Sequence, residues 1–267
     1  MSERPFDVIG YYRAQAQSNG LAATVTMPDE YVVEAELKAI IAFLARAEPD
    51  TSVRRLLEIG CGNGHLASVI HRRFETRFDY TGIDYTQEMI DLAKSRSLPF
   101  RFEYASVLSL PLENSETDLV VSDRVLINLL EPKDQAAAFT ELARVTRRGG
   151  LLMLIEGFKQ GLENLNLARS EFMMPPIPEP PVNNWFTEER WAAAIADKFT
   201  ELSEEELIGL APQNLFSSHY FLTRFVHDAI RPGGGKTRNT QFAKFFARAL
   251  PPVGDYSPLR LKYLRRI

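Results

Sequence analysis

Cysteine is nearly absent from this chain, and histidine and tryptophan are scarce: one, four and two among 267 residues. A lone cysteine, Cys61, excludes an internal disulfide and any multi-cysteine metal centre, and it fits a reducing compartment. Only His65, His71, His219 and His227 are imidazoles able to titrate near neutrality. Neither sign of charge dominates, since the formal net charge is -4, so nothing global demands a polyanionic partner. No apolar run approaches the ~20 residues needed to span a bilayer. The opening residues, Met1 to Pro5, lack the apolar core of a signal peptide. These absences predict a soluble, cytoplasmic protein with no membrane and no nucleic-acid partner; a monomer or homodimer is expected. Hydrophobic residues make up 45% of the chain, enough for one large domain, or one domain with an insertion. No internal repeat is evident.

What is present is concentrated in nine residues, Leu56-Leu57-Glu58-Ile59-Gly60-Cys61-Gly62-Asn63-Gly64. A short apolar run ends in a loop with glycine at every second position, and a helical stretch, 65–74, follows. Strand, glycine turn and helix open a nucleotide-binding α/β unit. Glycine turns tightly and lets a ligand rest on the backbone. The spacing is G-x-G-x-G, not the G-x-G-x-x-G of a dinucleotide site, where pyrophosphate rests on amides of the helix N-terminus. Glu58 beside this loop would repel pyrophosphate but tolerate the cationic end of an amino acid. Twenty residues past Gly64 a second apolar run ends in Asp84, placed to accept hydrogen bonds from ribose hydroxyls.

Alternating patterns predict strands near 54–59, 79–84, 100–104, 119–122 and 151–156, with helices near 65–74, 87–96 and 133–146 between them. Gly149-Gly150 reads as the C-cap turn of the last of these helices. A helix bearing Val32, Val33, Leu37, Ile40, Ile41 and Leu44 at helical spacing precedes them, capped by Asp29 and ended at Pro49-Asp50. Tyr11 and Tyr12 lie in a short helix before it. After Glu156 come a helix from Leu162 to Phe172, the proline-rich 175–181, and a helix from Glu188 with Thr187 as N-cap. A sixth strand near 200–210, helices from His219 to Ile230 and from Gln241 to Leu250 flanking a glycine loop at 232–235, and a seventh, antiparallel edge strand at 259–267 complete the expectation. The fold class expected is α/β: a Rossmann-like, doubly wound, mostly parallel seven-stranded sheet with helices on both faces. Residues 1–50 form an N-terminal helical cover. Residues 51–267 form the main domain, with covering insertions at about 157–190 and 211–250.

Glu58, the three glycines and Asp84, in this order, resemble a class I S-adenosylmethionine-dependent methyltransferase. The resemblance covers roughly residues 50–160 well and the rest in outline. It implies S-adenosyl-L-methionine as cofactor and a cofactor site built from Glu58, Gly60, Cys61, Gly62, Asn63, Gly64 and Asp84. It also implies Tyr85 and Met89 flanking adenine, with ordinary helix packing as the alternative. The family's third element carries an aspartate a few residues before Leu-Pro; here Ser106 stands in that place, in 105–111, so backbone amides of Ser106 and Val107 are expected to do more there. In the fourth element, 118–129, a backbone carbonyl of Ser122 or Asp123 is placed for the cofactor ammonium. Arg124 reaches either substrate or a neighbouring carboxylate, and Asn128 stands where many relatives have histidine. His65 is either a donor to the cofactor carboxylate or a half-exposed first-turn residue.

The expected reaction is methyl transfer to an O or N atom of a small-molecule acceptor. A hydroxyl acceptor needs its proton removed, so a base helps. His219 with Tyr220, on an insertion expected to cover the pocket, and Glu156, at the fifth strand's end, are the candidates. For each, packing is the alternative reading. The basic run Arg231, Lys236, Arg238, Lys244, Arg248, Arg260, Lys262, Arg265 and Arg266 is either a solvated face or a site for a phosphorylated acceptor such as a sugar nucleotide. Segments 124–129 and 254–258 loosely resemble methyltransferases of bacterial surface-sugar assembly. No Asn/Asp-Pro-Pro-Tyr/Phe motif for flipped bases is present. A non-catalytic binding or scaffold protein of the same fold is the competing class, and a nicotinamide oxidoreductase is disfavoured by the glycine spacing.

Overall fold

Leu56, Leu57 and Ile59, Leu119 to Val121, and Leu152 to Ile155 are apolar without alternation, as strands covered on both faces must be, and each is at most 2% exposed. In the computed structural model, which describes residues 6–47, 53–231 and 238–267, they form the centre of one seven-stranded sheet. The strands are β1 (Arg54–Ile59), β2 (Phe78–Asp84), β3 (Arg101–Tyr104), β4 (Thr117–Asp123), β5 (Thr146–Gly157), β6 (Phe199–Glu201) and β7 (Leu259–Arg266). Their order is β3-β2-β1-β4-β5-β7-β6. β1 to β5 pair in parallel, and β7 runs antiparallel to both β5 and β6.

The helices are α1 (Val8–Asn19), α2 (Glu30–Ala47), α3 (His65–Phe74), α4 (Gln87–Ser95), α5 (Pro132–Val145), α6 (Lys159–Glu171), α7 (Glu188–Ile195), α8 (Glu204–Leu207), α9 (Ser217–Phe221), α10 (His227–Ile230) and α11 (Gln241–Ala249). A π-helical turn, Leu222–Val226, joins α9 to α10. Two cores flank the sheet. One joins Ile40, Phe43, Leu44, Ile70 and Phe74 to Tyr80 and Tyr263; the other joins Phe139, Leu142, Phe158, Phe186 and Trp191 to Leu152 and Leu154. The doubly wound architecture expected from the sequence is therefore present. The chain leaves β1 toward β2 and β3 and returns to β4 on β1's other side. This order reversal opens a crevice at the carboxyl ends of β1 and β4, where α/β sheets bind ligands.

Three local expectations are corrected. The last strand is antiparallel as expected but not at the edge, because three-residue β6 pairs outside it. The expected sixth strand over 200–210 is cut short at Glu201, where Ser203 and Glu206 form a capping box that starts α8. Gly149 and Gly150 do not cap α5, which ends at Val145; they lie inside β5, where its register against β4 shifts between Thr117 and Leu119. Gly149 has φ +74°, and a Cβ on Gly150 would stand 2.7 Å from Thr146 Cγ2. Pro49, Asp50 and the glycine loop at 232–235 lie outside the described residues.

Candidate active site

A cavity of about 350 Å³ fills the crevice. Its floor is the glycine loop and the ends of β2, β3 and β4; its roof is α1, α2 and the loop between them. Gly60 has φ +76°, and a Cβ there would sit 2.2 Å from Val125 Cγ2. Gly62 has φ +50° with nothing within 4 Å of the position a Cβ would take, so its backbone faces open space. Gly64, at φ +72° and 3.1 Å from Ala93 Cβ, packs α3 against α4 and does not line the cavity.

Asp84 ties this loop to β2. Its Oδ2 accepts from the Gly62 N–H and its Oδ1 from the Thr86 N–H, both at 2.9 Å. Burial raises its carboxyl above the usual range despite these donors. Glu58 lines the cavity and accepts the Tyr80 hydroxyl; burial pushes it up to about 8. Cys61 also lines it, and burial beside Asp84 and Glu58 keeps its thiol neutral. Asn63, 2% exposed, donates from Nδ2 to the carbonyls of Gly20 (2.8 Å) and Ala22 (2.9 Å), so the loop before α2 is fastened to the glycine loop. His65 lines the cavity, and burial lowers its pKa.

At the β2 and β3 ends, Tyr85 lines the cavity and stacks on Tyr104 with centroids 5.4 Å apart and planes 17° apart. Met89 both lines it and packs on Ala16 and Val25, so contact and packing coexist. Ser106 and Val107 line it too. The Ser106 hydroxyl accepts from the Leu108 N–H at 3.2 Å within its own loop.

After β4 lies a polar cluster. Arg124, with φ +56°, spans from the core to the roof: its guanidinium bonds Glu36 of α2 and lies 3.3 Å from Asp123 Oδ2. Asp123 Oδ1 is buried without a hydrogen-bond partner. Tyr12 donates to Asn128 Oδ1 at 2.9 Å, and Asn128 Nδ2 reaches Val182 O and Asn183 Oδ1. Arg124 thus takes the neighbouring-carboxylate option open in the sequence. Glu36 was missed, although its signal was legible: it is 3% exposed and stands one turn from Val32 and one from Ile40, a carboxylate inside an apolar stripe.

Besides Gly64, four expected site residues lie off the cavity. His219 is 2% exposed and turns Nε2 to Asp29, 2.9 Å from Oδ2, with Arg224 on the same carboxylate. Tyr220 is buried under that guanidinium, whose carbon lies 3.5 Å from the ring centroid. Neither lines the cavity, because the roof is made by residues 8–40; among the described residues, none of 157–190 or 211–250 lines it either. Ser122 is enclosed in the sheet with its hydroxyl unpartnered. Glu156 points away from the mouth: it accepts from the backbone N–H groups of Val125 (3.2 Å), Leu126 (3.0 Å) and Ile127 (3.1 Å). Burial outweighs these three donors and pushes its pKa up to about 8, so it is mostly protonated at pH 7. Glu156→Ala strips those donors, and at ~1–3 kcal/mol for each buried group left unsatisfied a loss of about 3 kcal/mol or more is expected. Thermal melts should show this as a fall of ~6 °C or more, with Glu156→Gln close to the parent at pH 7.

Five members of the basic run are paired with carboxylates, and Arg238 and Arg266 donate to backbone carbonyls. Arg260 bonds Glu188 and Asp255, Lys262 lies 3.0 Å from Glu201, Arg265 bonds Glu206, and Lys244 and Arg248 reach Glu30 and Glu34. Lys236 is outside the described residues. No helix among the described residues is long and apolar enough to cross a membrane, and none of their His, Cys, Asp and Glu side chains form a group able to hold a metal ion.

Residues 56–150 match a family described as a methyltransferase domain. A probable S-adenosylmethionine-dependent methyltransferase of Mycobacterium tuberculosis is 33% identical over 109 residues, 41% of this chain and 38% of that protein. An O-methyltransferase of Aspergillus nomiae is 31% identical over 140 residues, 48% of this chain and 60% of that one. The matched part of this chain thus spans less than two thirds of these relatives' length. In fold, the chain is similar to magnesium protoporphyrin IX methyltransferase from Synechocystis, solved with bound S-adenosylhomocysteine: TM-score 0.61, 13% identity, covering 97% of this chain and 98% of that one.

Proposed function

Because residues 56–150 match a methyltransferase-domain family and form the glycine loop and strand ends around the crevice, we propose that this chain binds S-adenosylmethionine there and transfers its methyl group to an O or N atom of a small molecule. The observation that carries the reading is the pairing of a backbone-exposing glycine loop with the Asp84 carboxylate at the topological switch point. The donor set suits the cofactor. Asp84 stands at the end of β2 to receive a ribose diol, Gly62 leaves room at the backbone, and Glu58 offers a buried carboxylate to a cationic methionyl end. Tyr85 and Met89 border the space for adenine.

The bound cofactor supplies a methyl group already activated on a sulfonium, so positioning does most of the work, worth up to ~7–11 kcal/mol. The roof of α1 and α2 lies over the crevice, and the apolar side chains of Val33, Leu37 and Ile40 line it. The acceptor enters beside Arg124 and Asn128, the part of the cavity not claimed by the glycine loop.

Calorimetric titration with S-adenosylhomocysteine, with NAD as control, tests the reading. Micromolar binding of the first alone is expected. Glu58 is mostly protonated in the free protein at pH 7, and a nearby cation favours its carboxylate, so binding expels a proton. Affinity therefore rises from pH 6 to pH 8, and the heat varies with the buffer's ionisation enthalpy. Glu58→Gln removes both effects. Folded protein that binds NAD, or nothing, sinks the proposal.

A further inference from the structure

The connection between α1 and α2 is a braced turn, not a slack loop. Gly20 closes α1 at φ +52°, the Ala22 N–H donates to Asn19 O, the Val25 N–H donates to Ala22 O, and Asn19 Nδ2 donates to Val25 O at 3.0 Å. Ala23, Val25 and Thr26 of this strap line the cavity. Three successive strap carbonyls are held by two side chains of the floor. Asn63 Nδ2 donates to Gly20 O at 2.8 Å and to Ala22 O at 2.9 Å, and Arg96 Nη2 donates to Leu21 O at 3.0 Å. Arg96 Nε also donates to Asn63 O at 2.6 Å, so the two holders are tied to each other. The far end of the strap is pinned separately: Asn239 Nδ2 donates to Pro28 O at 2.9 Å, and Asp29 takes His219 and Arg224.

We propose that Asn63 and Arg96 are a latch that holds the 20–26 strap over the bound cofactor, setting how fast the cofactor enters and leaves without touching it through their side chains. The inference rests on the methyltransferase reading and adds a gate to it. Asn63, expected from the sequence to bind cofactor, has no side-chain donor left: both Nδ2 hydrogens go to strap carbonyls, and Oδ1 accepts from the His65 N–H at 3.2 Å. Arg96 does not line the cavity. With Pro28 and Asp29 fixed, a lifting strap swings with α1, whose other polar ties to the floor are Tyr12 on Asn128 and the pair Arg13–Glu88. Arg13 is 52% exposed in that pair, and exposed ion pairs contribute little. Ala16 and Val25 add apolar contact with Met89, while the latch supplies the directional bonds beside the glycine loop. None of the latch bonds includes a cofactor atom, so they favour the closed strap equally with the cavity filled or empty. A contact that does not distinguish two states cannot shift the equilibrium between them. Weakening the latch therefore speeds entry and exit together and leaves affinity nearly unchanged.

The test is stopped-flow mixing with S-adenosylhomocysteine, which gives association and dissociation rates, with calorimetry for the dissociation constant. The parent is compared with Arg96→Met and Asn63→Ala. Arg96→Met leads because it keeps the side chain's stem and alters a residue outside the cavity; Asn63→Ala, in the glycine loop, is the second variant should the first fail to fold. In Arg96→Met both rates are expected to rise ~10-fold or more, the size set by two lost hydrogen bonds, while the dissociation constant stays within about threefold of the parent's. Asn63→Ala should show the same paired rise. Arg96→Lys, with a single ammonium in place of the fork, should lie between Arg96→Met and the parent. Faster dissociation with unchanged association, and affinity lowered to match, is the mark of an affinity contact or of a loosened glycine loop, and that result overturns the proposal. Unchanged rates in folded variants overturn it too. A parent that fails to bind S-adenosylhomocysteine is a separate failure, that of the methyltransferase reading itself.

Discussion

Asp84→Ala is expected to raise the dissociation constant for S-adenosylhomocysteine about 100-fold or more. The carboxylate has two tasks that fail together. In the free protein it accepts from Gly62 and Thr86, both at 2.9 Å, and so holds the glycine loop against β2. In the proposed complex the same carboxylate also receives the ribose hydroxyls. Hydrogen bonds to a charged group contribute ~1.5–3 kcal/mol each, and each ~1.4 kcal/mol is a factor of ten. Two such bonds alone exceed the stated loss. Asp84→Asn keeps one acceptor oxygen and should fall between, near tenfold. Calorimetry on variants whose melting temperature is close to the parent's separates binding from unfolding. An Asp84→Ala protein that is folded and binds within threefold of the parent would falsify the ribose placement.

The order of chemistry along the first half of the chain was legible because it is local. A strand ending in a glycine turn needs no distant partner to be recognised, and Asp84 follows at a fixed spacing because β1 and β2 are neighbours in parallel register. The crevice followed from the same alternation. The roof and the acceptor end were less legible, because they join residues far apart in sequence. Glu36 meets Arg124 across 88 positions, and Tyr12 meets Asn128 across 116. Periodicity reports that a helix has an apolar face, not which charge inside it is paired. His219 misled for the same reason. A histidine on an insertion suggests a base, but its partner Asp29, 190 positions away, buries it as a helix-to-helix tie. Glu156 misled through a sound rule applied one residue too far: the strand end does reach the crevice, yet the side chain turns back to three backbone donors.

Arg124→Met should cost the fold more than any other single change at the site. Arg124 carries the positive charge between Glu36, 3% exposed, and Asp123. Removing one partner of a buried ion pair costs ~3–5 kcal/mol, because the remaining charge loses its compensation. At ~2–4 °C per kcal/mol for a chain near this size, the melting temperature should fall by about 6–20 °C. Methionine keeps the stem's packing and the left-handed backbone at φ +56°, whereas glycine would relieve that backbone and blur the comparison. The defect carries a pH signature. Burial already raises Glu36 and Asp123 above their ordinary values, and losing the guanidinium raises them further. Groups with raised folded pKa destabilise once pH exceeds the unfolded value, so the gap between parent and variant should widen from pH 5 to pH 8. Glu36→Gln added to Arg124→Met removes one orphaned charge and should restore more than 1 kcal/mol, a coupling that independent sites do not show. Because Glu36 belongs to α2 and Arg124 to the end of β4, the same loss loosens the roof from the sheet. Limited proteolysis should then cut the 20–29 connection faster in Arg124→Met than in the parent, and S-adenosylhomocysteine should slow the cleavage in both. Equal cleavage rates and a pH-independent gap would show that the roof is held by its apolar contacts alone.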